Sequence, residues 1–316
     1  SYSVTGVQTC ALPISVYCAC TVAEEANFDE YLAAFANELA NSRPTAFNLE
    51  WAIQKSLDSI ASLAGKMEKT KAALESARKI ASDDVENCLK IGEFGLDIIR
   101  EISQRKKGDT VNILTHCNAG WLATIDYGTA TAPIYKAFDE GIGIHVWVDE
   151  TRPRNQGSRL TAWELNNHGV PNTIIVDNAG GYLMQMGAVD LVIVGSDRTT
   201  ADGYVVNKVG TYLKALAAAD IGIPFYVALP RSSINNGFSY EHSFIIEERH
   251  ENEVLYTEGF SDGGIVSVRT AAFNTQALNI AFDVTPPYLV TGLITEKGVV
   301  KPGLEEISSI LTELPD

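Results

Sequence analysis

Five short runs of apolar, largely β-branched residues recur through the middle of the chain: Val111–Thr115, His145–Val148, Thr173–Val176, Leu191–Val194 and Phe225–Ala228. Runs of four or five residues with this composition fit strands buried on both faces. Segments of helical period separate them, at Ala130–Phe138, Leu160–His168 and Val205–Ala219. Strand and helix alternating in this way imply right-handed βαβ crossovers and a mostly parallel sheet covered on both sides. Few other folds accommodate the pattern. No internal repeat and no low-complexity tract interrupts it.

From Glu24 to about Lys106 the period is helical. Phe28, Leu32, Phe35 and Leu39 recur at spacings of three and four and so share one face. Ser42-Arg43-Pro44-Thr45 breaks the run, and Pro44 suits the first turn of a second helix carrying Phe47, Leu49, Trp51, Ile53 and Leu57. A third helix is expected around Lys66–Ala81. Ser82-Asp83-Asp84-Val85 offers a cap and early acidic charge for a fourth, through Ile91 and Leu96 to Ile99. The polar stretch "QRKKGDT" (104–110) marks the boundary. The chain thus divides into a helical domain (17–106) and an α/β domain (107–316).

Residues 1–16 are set apart. They contain no Lys or Arg and no uninterrupted apolar stretch, so they do not read as a secretory signal. Cys18-Ala-Cys20 lacks the spacing and partners of a zinc site. Val4–Ile14, "VTGVQTCALPI", resembles the conceptual translation of a sequencing adapter, and residues 1–16 are expected to be a non-native artefact.

Composition excludes several roles. The 316 residues are 46% hydrophobic and 20% charged, as in soluble globular proteins, and no stretch is long enough to span a bilayer. A formal net charge of −16 argues against sequence-independent nucleic-acid binding, yet local cations can still hold an anionic substrate. Five cysteines without a framework suggest a reduced, cytoplasmic chain.

The loops that leave the strands are more informative. They are "THCNAG" (115–120), "DETRPRNQG" (149–157), "DNAGG" (177–181), "GSDRTTADG" (195–203) and "LPRSS" (229–233). All are polar and most carry glycine. Ligands of open α/β sheets bind outside the carboxyl ends of the strands, so the five loops are expected to converge on one site. No dinucleotide or triphosphate fingerprint is present, and no nucleophile elbow. One thiol, Cys117, and one acid, Asp197, remain, with amides and the cations Arg152, Arg154, Arg159, Arg198 and Lys208. Each has a plainer alternative. Cys117 could be core packing, Asp197 a helix cap, Arg152 and Arg154 a solvated pair, and Asn207-Lys208 a helix start. Trp121, Trp147 and Trp163 are expected to pack sheet–helix interfaces. His116 should point away from its neighbour Cys117, and His145 reads as structural.

In order, "SRPTAFNLEWA", "THCNAG", "VDETRPRNQGSRLTAWEL", "DNAGG", "GSDR", "NKVGTY", "IPFYVALP", "IEER", "AFDVTP" and "ITEKG" resemble the 5-methylthioribose-1-phosphate isomerase family over about residues 43–300. The resemblance implies a helical domain followed by a Rossmann-like domain, usually as a homodimer. It implies conversion of 5-methylthioribose 1-phosphate to 5-methylthioribulose 1-phosphate in methionine salvage, with no metal or organic cofactor. By motif, the catalytic cysteine falls on Cys117 and the catalytic aspartate on Asp197. Substrate-binding positions fall on Arg43, Gln156, Asn207 and Lys208. Two departures stand out: Gly203-Tyr204-Val205-Val206 where the family often has Gly-Asp-Val-x, and Trp121 in place of a smaller residue. That family also carries an Arg-Gly-Ala-Pro loop upstream, whereas Ser15–Ala23 contains no arginine. Loss of one such phosphate contact implies affinity lower by roughly 10- to 150-fold and a nearly inactive chain as written. Two other readings carry the same motifs: a sister isomerase for 5-deoxyribose 1-phosphate or ribose 1,5-bisphosphate, and a non-catalytic regulatory subunit related to the translation-initiation exchange factor.

Overall fold

The computed structural model describes residues 8–42, 45–237, 246–261 and 263–312, with side chains from residue 14 onward. Four helices come first: α1 (Gln8–Val22), α2 (Phe28–Ser42), α3 (Phe47–Ala61) and α4 (Lys66–Arg105). Val16, Ala19, Cys20 and Ala23 from α1 and its end pack with Phe28, Leu32, Ile60 and Ala73. A second cluster, Ala36, Ala46, Leu49 and Ile53, joins α2 to α3. The expected stop near Ala81 does not occur, because α4 runs unbroken for 40 residues. Neither Pro nor Gly interrupts it there, and the would-be capping side chains are engaged elsewhere. Asp83 pairs with Lys79 one turn back at 3.1 Å, and Asp84 accepts the Ile125 N–H at 3.0 Å. The end of α4 belongs to another core: Ile91, Leu96, Ile99 and Ile102 pack with Val111, Ile113, Ile134 and Ile294.

The remaining elements are β1 (Val111–Thr115), α5 (Ala132–Asp139), β2 (Ile144–Asp149), α6 (Ala162–His168), β3 (Asn172–Ile175), α7 (Ala179–Gln185), β4 (Leu191–Val194), β5 (Arg198–Thr200), β6 (Val205–Lys208), α8 (Thr211–Ile221), β7 (Phe225–Ala228) and β8 (Ile234–Asn235). After these come α9 (Asn252–Leu255), β9 (Tyr256–Ser261), β10 (Gly264–Arg269), β11 (Phe282–Thr285), β12 (Gly292–Thr295), β13 (Gly298–Val300) and α10 (Leu304–Leu311). A seven-stranded sheet has the order β13-β12-β7-β4-β1-β2-β3. Its neighbours are parallel except β13, which runs antiparallel to β12. The fold is therefore the expected one, a helical region followed by a mostly parallel sheet. α5 lies close on α4 because Gly95 has no side chain; a Cβ there would come within 2.4 Å of Pro133 Cγ.

Two local expectations fail. Val205–Lys208 is not the start of a helix but strand β6, held between β5 and β11 in a four-stranded sheet. Its buried Val205 and Val206 suit that pleated setting, and α8 begins only at Thr211. Trp163 does not pack an interface either. It is half exposed and leans on Trp121, with ring centroids 5.5 Å apart.

Candidate active site

The strand order reverses between β1 and β4: from β1 the chain builds outward through β2 and β3, and from β4 in the opposite direction. The loops leaving these two strands diverge, and the crevice at their carboxyl ends is where this architecture places a ligand. Cys117 stands two residues past β1 and Asp197 three past β4. Both line a cavity of about 110 Å³, together with Gln156, Asn207 and Lys208. Four of the five expected loops reach it. The fifth, "DNAGG", supports a neighbour instead: the Asp177 carboxylate accepts the N–H groups of Thr151 and Arg152 at 2.7 and 2.8 Å. Arg43 lies outside the described residues.

Cys117 adopts a φ of 68°, a left-handed conformation uncommon for a side-chain-bearing residue and often found at functional sites. Its N–H donates to Thr151 Oγ1 at 2.9 Å, and its carbonyl accepts from Thr161 Oγ1 at 2.6 Å. The thiol is buried, and its pKa is pushed up to about 11. Desolvation is the main cause; the Lys208 cation opposes it, and Asp197 adds to it. At neutral pH Cys117 is therefore a thiol. Asp197 also ties the two modules together, since its carbonyl accepts the Phe47 N–H from the start of α3 at 3.2 Å. Lys208 is buried at the end of β6, donating to the Ala281 carbonyl at 2.9 Å and resting 4.1 Å over the Phe282 ring. Asn207 donates through Nδ2 to Thr211 Oγ1 at 3.0 Å.

His116 also borders the cavity, but its ring is engaged on both sides. Nε2 lies 2.9 Å from the Val209 carbonyl, which can only accept, and Nδ1 lies 2.7 Å from Asp149 Oδ2. It does not point away from Cys117 as strand alternation would have it, because both residues lie past the end of β1 and Cys117 has a positive φ; with both nitrogens so engaged it is nonetheless a structural residue rather than a base for the thiol. Asp149 is also 2.9 Å from the Lys214 ammonium. His116, Asp149 and Asp177 bring potential metal ligands within 4.8 Å of one another, and this ammonium already supplies positive charge among them. Arg152, Arg154 and Arg159 serve the fold around α9 and β9. They donate to the Val254 carbonyl and Thr257 Oγ1, to Glu253, and to Glu258.

Two residues escaped the sequence reading. Glu164, on α6, is fully buried and accepts from Asn118 Nδ2, the Trp121 and Leu122 N–H groups and the Tyr135 hydroxyl, at 2.9 to 3.0 Å. This carboxylate fixes the loop that begins at Cys117, and Gly120 is required beside it, since a Cβ there would lie 1.8 Å from Glu164 Oε2. The second is Asp84, a cavity-lining residue contributed by α4. The available signal was its place in the stripe Ala73, Ala77, Ile80, Asp84, Cys88 and Ile91, all of them buried. Asp84 is the one acid among the buried positions of this helix.

The chain matches the profile described as the "Initiation factor 2 subunit family" over residues 3–302. It is 56% identical over 288 residues to the methylthioribose-1-phosphate isomerase of Desulfatibacillum aliphaticivorans, covering 90% of this chain and 77% of that one. Identity to the enzyme of the same name from Rhizobium meliloti (strain 1021) is 56% over 290 residues, covering 90% and 79%. Among solved structures, 5-methylthioribose 1-phosphate isomerase from Pyrococcus horikoshii OT3 superposes with a TM-score of 0.81 at 35% identity, covering 98% of this chain and 85% of that one. Translation initiation factor eIF-2B subunit delta from A. fulgidus gives 0.75 at 37% identity, covering 98% and 88%.

Proposed function

The chain belongs to the initiation factor 2 subunit family, and on that premise we propose that it is an isomerase of 5-methylthioribose 1-phosphate, forming 5-methylthioribulose 1-phosphate in methionine salvage. One observation carries the reading. A single cavity at the reversal of strand order gathers Cys117, Asp197, Gln156, Asn207 and Lys208, and relatives 56% identical over most of the chain are named for this reaction.

The anomeric oxygen of this sugar carries the phosphate, so the ring cannot open to a free aldehyde. A proton must reach the ring oxygen, hydrogen must pass from C2 to C1, and the C2 hydroxyl must lose its proton to become the ketone. Asp197 is assigned the proton for the ring oxygen and, ionised by that step, takes up the proton that the C2 hydroxyl releases. Cys117 is assigned to the C2–C1 transfer and enters as a thiol, because burial holds its pKa near 11. Lys208, Asn207 and Gln156, with Arg43, are assigned to the phosphate and hydroxyls. The test is turnover of 5-methylthioribose 1-phosphate against 5-deoxyribose 1-phosphate and ribose 1,5-bisphosphate. Preference for the bisphosphate would overturn the substrate assignment. Binding without turnover of any of the three, by a form that carries the family's upstream Arg-Gly-Ala-Pro loop, would favour a regulatory role, which the likeness to an initiation factor subunit keeps in view.

Lys208→Ala and Gln156→Ala should each raise KM about tenfold or more, since both remove directional or charge-assisted contacts. Trp121→Phe should change it far less. An unchanged KM for Lys208→Ala would place the phosphate elsewhere.

The enzyme is read as a cytoplasmic homodimer. The reduced compartment suits a thiol-dependent site, and among the described residues no helix is long and apolar enough to cross a membrane. At the edge strand β3 and neighbouring α7, Ile174, Val176, Tyr182 and Met186 are all exposed, a grouping that suits a partner surface. Sedimentation is expected to give twice the chain mass; a monomer at micromolar concentration would overturn the dimer.

A further inference from the structure

Asp84 reaches the cavity from the helical module rather than from a strand end. It is 5% exposed, and Oδ2 accepts the Ile125 N–H at 3.0 Å. Its second oxygen, Oδ1, takes no hydrogen bond from the described residues, and the residue lines the cavity. No cation among the described residues offsets the charge, and burial lifts the pKa to about 6. The stripe around it is apolar. A buried acid without a counter-ion works against folding, so packing gives no reason for a carboxylate here.

We propose that Asp84 is a specificity-determining residue that accepts the 3-hydroxyl of the sugar phosphate through Oδ1, while the Ile125 N–H holds Oδ2 in place. The proposal rests on the isomerase reading. An ionised carboxylate can only accept hydrogen bonds. The phosphate would be repelled, and a methylthio group has no proton to give. In the closed sugar that leaves the hydroxyls at C2 and C3. The C2 hydroxyl is consumed by the reaction and belongs beside Cys117 and Asp197. The C3 hydroxyl is the one left for the wall that α4 provides.

The experiment pairs Asp84→Asn with 3-deoxy-5-methylthioribose 1-phosphate. The amide keeps an acceptor for the Ile125 N–H but presents an NH2 group where Oδ1 stood. With the parent sugar, the variant should show a KM raised about 10- to 100-fold and a kcat little changed, the pattern of a lost binding contact. The unsubstituted chain should lose a similar factor on the 3-deoxy sugar, and the variant should lose almost nothing further on it. The variant should also melt at a higher temperature at pH 7.5, since a buried uncompensated charge is gone. Equal, multiplying losses would overturn the proposal, and so would a lowered melting temperature, which is what a purely structural role requires. If the unsubstituted chain turns over only ribose 1,5-bisphosphate, the substrate reading fails by itself. The comparison then moves to the 3-deoxy bisphosphate, where equal losses again overturn the Asp84 assignment. No turnover of either sugar by a form that carries the upstream Arg-Gly-Ala-Pro loop overturns both.

Discussion

Cys117→Ser and Asp197→Asn should each lower kcat at least about 100-fold, the usual scale for removing a positioned acid or base, with folding unaffected. Cys117 anchors its loop through main-chain atoms, the N–H to Thr151 and the carbonyl from Thr161, and serine leaves both in place. Asp197 likewise holds its position by backbone, its N–H donating to the Val206 carbonyl at 3.0 Å. The losses should therefore be losses of chemistry, visible as normal circular dichroism and melting beside collapsed turnover. Near-normal kcat in either variant, measured in a form that carries the upstream Arg-Gly-Ala-Pro loop, would remove that residue from the mechanism.

Glu164→Leu should be the most destabilising single change near the site. Four donors converge on this carboxylate, and leucine would take its acceptor oxygens from all of them. Each buried donor left unpaired costs about 1–3 kcal/mol, and relaxation of the loop recovers part of that. A net loss of about 3 kcal/mol or more in urea unfolding is the expected result. The effect should reach catalysis too, because Asn118, Trp121 and Leu122 belong to the loop that presents Cys117. Glu164→Gln should be milder, since an amide keeps one acceptor oxygen. A loss below about 1 kcal/mol for Glu164→Leu would mean that the loop is held by other contacts.

Much of this arrangement was readable from residue order. Short β-branched runs with polar carboxyl ends located the rim, and four of the five loops meet there as expected. What escaped depended on partners distant in sequence. β6 is a strand because β11, some 75 residues later, pairs with Val205–Lys208, and nothing in those four residues announces it. The single length of α4 was hidden by Ser82-Asp83-Asp84, a sequence that suits a helix start equally well. Glu164 could not be recognised as a hub because three of its four donors lie more than 40 residues away, in a loop without regular structure. In sequence the "DNAGG" loop cannot be told from a lining element, because a buttress and a binding loop share the same small, polar composition.

Helix α4 acts as a ruler. Asp84 sits seven residues before Ile91, the first of its side chains anchored in the core of the sheet. At 1.5 Å per residue that is about 10 Å, two turns of an unbroken rod. The carboxylate is thus gauged against the β1 floor by length and rotation together. Most substitutions between those marks leave both settings alone. A one-residue insertion or deletion turns everything upstream by about 100° and swings the carboxylate off the cavity wall. In this stretch, tolerance to change should depend far more on residue count than on residue identity.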